Sequence, residues 1–249
     1  MRTFQQLQEG IYDPNIFKAV FLAGGPGSGK SFVVGRTLGG LGLKIINSDD
    51  PFERYLKAAG LSMRMPDSEK EPRDIERKRA KRVTAAKKGH AIDGRLGLVI
   101  DGTGKNYDKV TTESGLLREL GYETSMVFVN TSLETALSRN EKRARKVPPK
   151  LAEAGWKAVQ ANLGRFQQYF APDKFFIVDN NDDQENLMEI ATKLIKRAIR
   201  NPISSPIAKE WIASEMRKKK MASLNNLDSY QGRNVGKGGG GYVPRGKRT

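Results

Sequence analysis

Eight consecutive residues, Gly24-Gly25-Pro26-Gly27-Ser28-Gly29-Lys30-Ser31, fit the pattern G-x-x-x-x-G-K-[ST]. Glycines at this spacing let backbone N–H groups converge on phosphate oxygens, and the helical pattern that follows adds the partial positive charge of its N-terminus. Gly25, Pro26, Gly27, Ser28 and Gly29 would form the cradle, Lys30 would reach the β and γ phosphates of a nucleotide such as ATP, and Ser31 is placed to hold Mg²⁺. An apolar run precedes the motif and a helical run follows it, the two contexts this chemistry requires. A glycine-rich turn that binds nothing is the alternative, and it would need neither.

A phosphate loop implies a nucleotide but not a reaction. The run Ile45-Ile46-Asn47-Ser48-Asp49-Asp50 ends in two carboxylates, where open α/β sheets place their chemistry. Asp49 can take the proton of an attacking hydroxyl, while Asp50 before Pro51 reads as a helix cap; the alternative makes both of them caps. Leu98-Val99-Ile100-Asp101-Gly102-Thr103-Gly104 is a second apolar run ending in a carboxylate. Asp101 could join the Mg²⁺ shell or hold a substrate hydroxyl, or the segment is only a tight turn. Arg139 and Arg143 are four apart in Arg139-Asn140-Glu141-Lys142-Arg143, so on a helix they share a face and could cover the charge of a transferred phosphoryl group. A solvated basic face is the bland alternative.

Positioning these residues requires strands with helices between them. β-rich runs recur at Phe17–Ala23, Leu43–Ile46, Leu96–Ile100, Ser125–Val129 and Phe175–Val178. Helical patterns fall at Lys30–Leu41, Pro51–Ala59, Arg73–Lys88, Tyr107–Leu120, Leu133–Lys142, Lys150–Tyr169 and Gln184–Arg200. The alternation predicts an α/β fold with a central parallel sheet of about five strands and helices on both faces, carrying the P-loop after its first strand. Residues 1–200 read as that domain and 201–223 as a linker with a short helix near Ile207–Lys220. Residues 224–249 read as a disordered basic, glycine-rich tail, because they cannot bury enough apolar surface to fix the backbone.

Composition narrows the chemistry further. The chain has 249 residues with 44 Lys+Arg against 28 Asp+Glu, a net charge of +16 that favours polyanions such as nucleic acid. Cysteine is absent and His90 is the single histidine, which excludes disulfides, thiolate sites and multi-histidine zinc. The longest charge-free run, Ala19–Gly29, has eleven residues and is too short to span a bilayer. The opening MRTFQQLQEG lacks a secretory apolar stretch, so the expected location is the cytoplasm. Arg64–Arg95 carries eleven basic and six acidic residues and reads as a solvated element that guides a phosphate-bearing substrate; 217–249 carries nine basic against one acidic.

Together these motifs resemble the phosphate-loop kinases grouped around zeta toxins and the bacteriophage polynucleotide 5′-kinase, over about Phe17–Asp179. The resemblance implies transfer of the ATP γ-phosphate to a hydroxyl: a polynucleotide 5′-OH, a nucleotide or a nucleotide-sugar. It implies Asp49 as the hydroxyl-activating base, Arg143 as the transition-state arginine of a lid, and Mg²⁺ as cofactor. Asp101-Gly102-Thr103 is similar to the acidic-Gly-Thr strand end that zeta toxins use for their sugar substrate. Phe52 stands where the polynucleotide kinase has an arginine three positions after its base. Met1–Glu9 resembles the short leaders of proteins packaged in large tailed phages, which would imply association with a virion. A nucleic-acid-binding protein that merely retains the fold is the other class of reading.

Overall fold

The computed structural model describes residues 10–30, 41–143, 146–181 and 184–234. Strands β1 (Lys18–Ala23), β2 (Lys44–Ile46), β3 (Leu98–Asp101), β4 (Glu123–Asn130) and β5 (Phe175–Asp179) form one sheet in the order β2-β3-β1-β4-β5. Every pairing is parallel. All six residues of β1 are buried, which is why its sequence is a continuous apolar run and does not alternate. The register pairs Leu22 with Asp101 and Ile46 with Ile100, so β1, β2 and β3 finish at one carboxyl edge.

The helices are α1 (Asp49–Ala58), α2 (Lys70–Asp93), α3 (Tyr107–Glu119), α4 (Leu133–Glu141), α5 (Pro149–Phe170), α6 (Gln184–Arg200) and α7 (Pro206–Asn234). Val20, Leu22, Val127 and Val129 on one face of the sheet pack with Ala191 and Ile195 of α6. Phe21 on the other face meets Phe170 of α5 with ring centroids 5.8 Å apart. Alternate residues of β1 thus feed two opposed cores, as the period-2 geometry of a strand dictates. A smaller core of Phe52, Leu56 and Ala80 joins α1 to α2.

Among the described residues the expected strands and helices recur within a few residues, with two corrections. Helix α2 is longer than the expected Arg73–Lys88, and only Ala80 and Ala91 are buried along it, so it is largely solvated. Helix α7 continues to Asn234, beyond the short helix expected near Ile207–Lys220 and past Leu224, where the tail was expected to begin. Pro206 stands at its first position, and Met221, Ala222, Leu224 and Leu227 are helix formers uninterrupted by proline, so propensity carries the helix on. The chain divides into two compact units, residues 1–208 and 209–249. The segment Met1–Glu9 and the helix expected after Lys30 at 31–40, Ser31 included, lie outside the described residues.

Candidate active site

The phosphate loop leaves β1 at Ala23 and enters a helical turn at Lys30. Its glycines are required by close approach. Gly27 has φ +78°, and a Cβ there would overlap the backbone carbonyl of Ala136 in α4. Gly29 has φ +90° and would collide with the side-chain amide of Asn180. At Gly25 a Cβ would come to 3.2 Å from Cδ1 of Trp156, whose indole N–H is anchored on the Thr131 carbonyl at 2.9 Å. Three elements therefore grip the loop from outside. Inside it, the buried Ser28 Oγ has no hydrogen-bond partner among the described residues, a donor suited to a phosphate oxygen.

Asn180, which follows β5, is 1% exposed and organises this region. Its side-chain amide donates to the Ser28 carbonyl at 2.7 Å, and its own carbonyl accepts from the Arg139 guanidinium at 2.8 Å. No sequence motif marked this residue, because it lies about 150 positions from the loop it holds.

The carboxylates come together as expected, by a different local route. Ser48, not Asp50, is the N-cap of α1, and Asp49 and Asp50 occupy its first turn. Acidic side chains are favoured there by the helix dipole, which explains the earlier start. Asn47 links the two strand ends: its side-chain N–H donates to Asp101 at 2.7 Å while its oxygen accepts from the Asp49 backbone N–H at 2.6 Å. Asp49 is half-buried and Asp50 exposed.

Electrostatics tie the set into one site. Burial pushes the Asp101 carboxyl up to about 6, against the pull of Lys30 and with the further push of Asp49 and Asp50. Burial brings the Lys30 ammonium down to about 8; Asp101 and Asp49 oppose that change and Arg143 adds to it. In this structure Lys30 Nζ donates to the loop's own carbonyls, Gly24 and, at 3.3 Å, Gly25.

The two arginines separate. Helix α4 ends at Glu141 and Lys142 caps it, so Arg143 lies beyond the helix and the expected shared face does not form. Arg139 donates to Asn180, whereas Arg143 contributes to the field at Lys30. The Asn140 side chain bonds twice with Val147, donating to its carbonyl at 2.7 Å and accepting from its backbone N–H at 3.1 Å.

The basic segment also divides. Arg77 stacks on Phe52 at 3.9 Å and Arg79 on Tyr55 at 4.3 Å, while Arg73 donates to the Met65 carbonyl at 2.7 Å. These arginines hold the α1–α2 hairpin together. Phe52, which stands where an arginine was noted as missing, is the stacking partner of one of them.

Of the two expected Mg²⁺ ligands only Asp101 is described, and its Oδ2 is held by Asn47. A hard carboxylate oxygen beside a phosphate cradle fits an ion that takes one or two protein ligands and completes its shell with phosphate and water. Among the described residues no cluster of three or more His, Cys, Asp or Glu could hold a metal, and no helix is long and apolar enough to cross a membrane.

A parallel five-stranded sheet with a glycine-cradled loop after its central strand, and carboxylates at the neighbouring strand ends, defines a kinase-like protein of the P-loop class. The zeta toxin family profile matches residues 8–191, most of the chain, and the chain belongs to that family. The AvrRxo1-ORF1:AvrRxo1-ORF2 complex with sulphate ions is similar at a TM-score of 0.52 and 14% identity, over 79% of this chain and 76% of that one. The same pair with ATP gives 0.52 and 15% over 66% of this chain, which spans only 54% of that one. A gluconokinase from Sinorhizobium meliloti 1021 is 17% identical over 75% and 95% of the two chains, with a TM-score of 0.47. No curated protein sequence matches the chain. At these identities the solved structures speak for the fold alone.

Proposed function

We propose that the protein transfers the γ-phosphate of ATP to the hydroxyl of a polynucleotide 5′ end or of a nucleotide-type acceptor. The observation that carries this reading is the convergence of Asp49, Asp101 and Arg143 on the field at Lys30, groups drawn from the carboxyl edge of the sheet and from the segment beyond α4. Membership in the zeta toxin family and a fold neighbour solved with ATP support the donor.

The acceptor oxygen attacks the γ-phosphorus, its proton passes to the Asp49 carboxylate, and the bond from phosphorus to the bridging oxygen breaks to release ADP. Lys30 swings from the Gly24 and Gly25 carbonyls to the phosphates, and Arg143 offsets the negative charge that spreads over the transferred group. Arg139 acts through Asn180 on the loop. Ser31 and Asp101 would hold Mg²⁺, which would offset the negative charge of the phosphates when bound.

A nucleotide-sugar acceptor is the second reading, favoured by the family and by Asp101-Gly102-Thr103 at the end of β3. The basic residues of 217–249 and of α2 would bind nucleic acid nonspecifically, with log K falling by about 0.9 per duplex phosphate neutralised as log salt rises. The test is incubation with labelled ATP and a panel of 5′-OH oligonucleotides, UDP-N-acetylglucosamine and nucleoside monophosphates. Transfer to one class selects the acceptor; ATP binding without transfer to any would leave only a nucleic-acid-binding protein on a retained fold.

A further inference from the structure

A cavity of about 350 Å³ opens beside Asp101, away from the phosphate loop. Its lining includes Ser48 from the start of α1, Lys81 and Lys88 from α2, Asp101 from β3, and Lys109 and Glu113 from α3. The walls are tied in place. Lys87 Nζ donates to the Ile45 carbonyl at 2.8 Å, and Lys88 pairs with Glu113 across α2 and α3 at 2.8 Å. That pair neutralises Glu113 and commits Lys88. The ammonium groups of Lys81 and Lys109 make no ion pair or hydrogen bond among the described residues, and the two residues line the cavity from two different helices.

We propose that this chamber binds a phosphate monoester, with Lys81 and Lys109 on the phosphate and the reacting hydroxyl at the Asp101 end; the proposal rests on the phosphotransfer reading above and narrows its acceptor. Two uncommitted cations complement a monoester, which carries about −1.5 to −2 at neutral pH, better than the single charge of a phosphodiester. The volume lies near the small end of ligand pockets, roughly 300–1,000 Å³, and suits a phosphorylated sugar or one nucleotide, not a long nucleotide-sugar. The chamber's carboxylate, Asp101, comes from β3 and interacts with Lys30, whereas its two lysines come from α2 and α3. An acceptor bearing both hydroxyl and phosphate would therefore enter in one orientation. The arginines stacked on Phe52 and Tyr55 are engaged in the hairpin, which leaves the lysines to select the ligand.

Isothermal titration tests this on the full chain saturated with ADP, using ribose 5-phosphate against ribose and uridine 5′-monophosphate against uridine. Each phosphorylated probe is expected to bind at least tenfold more tightly than its partner, and the double substitution Lys81→Ala with Lys109→Ala is expected to erase that preference while ADP affinity and the melting temperature hold. A Lys78→Ala, Arg82→Ala pair, outside the cavity, controls for the general basic field and should bind as the wild type does. Equal binding of phosphorylated and plain probes, or equal losses in both double variants, would overturn the subsite. Lysine-dependent binding without transfer of label would leave the subsite standing and sink the phosphotransfer reading. Transfer that ignores the phosphate would do the reverse.

Discussion

The two halves of the candidate site are built in opposite ways. The phosphate loop is one contiguous segment, held by packing: Ala136, Trp156 and Asn180 occupy the volumes its glycines leave. The acceptor side gathers Asn47, Asp49, Asp101, Lys88 and Glu113 from separate elements and holds them with polar tethers at 2.6–2.8 Å. Packing contacts fail together, because a misplaced Cβ has nowhere to go. Polar tethers fail one at a time, each worth about 1 kcal/mol net. Changes in the loop should therefore abolish nucleotide chemistry, and changes in the chamber should grade acceptor use.

The largest expected effect is on the loop side. Lys30→Met removes the loop's own ammonium from the cradle and should lower kcat by about 10³-fold, the scale for losing one preorganised charge-stabilising donor. Loss of less than tenfold, read by transfer of labelled phosphate, would break the comparison at its root. Asp49→Asn comes next. It keeps the shape of the α1 start and should cost about 10²-fold in kcat while ATP affinity stays unchanged, since a base acts on the acceptor proton and not on donor binding.

Asn180→Ala tests whether packing against the loop is felt by nucleotide. It removes the bond to Ser28 and opens the space beside Gly29, so ATP should bind about five- to tenfold more weakly, with kcat for bound ATP nearly unchanged. Unaltered affinity would mean that the amide only fills volume. Lys30 supplies a further probe, because its folded-state value of about 8 lies below the ordinary lysine range. Phosphate binding favours the ammonium, so ATP binding takes up a proton above pH 8. Affinity should be flat below pH 8 and fall by up to about tenfold per pH unit above it. Lys30→Arg, which stays charged, should flatten that slope even where it weakens binding.

These two halves also differ in how readable they were in the chain. The loop is eight neighbouring residues whose spacing is their chemistry, and the runs flanking it announced β1 and the sheet. Asp49 and Asp101 were legible as strand-end carboxylates because parallel strands share one carboxyl edge. Asn180 and Trp156 were not, since their roles depend on β5 and α5 returning to the loop through the sheet order, which no local pattern encodes. Arg139 and Arg143 misled for a local reason: a spacing of four implies a shared face only while the helix lasts, and it ends at Glu141, with the Asn140 side chain bonded to Val147. In α7, the charge and glycine content of the last residues drew attention from the helix formers before them.

The smallest effect concerns the price of burying Asp101. Its carboxyl titrates at about 6 in the folded chain, above the ordinary 3.8, so the native state holds a proton that the unfolded state has already lost between those values. The resulting stability is fully present below about pH 4 and is lost as pH rises through 6. Asp101→Asn fixes the neutral form and keeps an oxygen for the Asn47 donor. Wild type and variant should melt together at pH 4, and the variant should melt higher above pH 6, by roughly 2–4 °C for each kcal/mol recovered in a chain of this size. Lys30 loses a partner in the variant, which trims the gain. A difference in Tm that does not change between pH 4 and pH 8 would show that the chamber holds its carboxylate without cost, and the contrast between a packed donor side and an electrostatically strained acceptor side would fall.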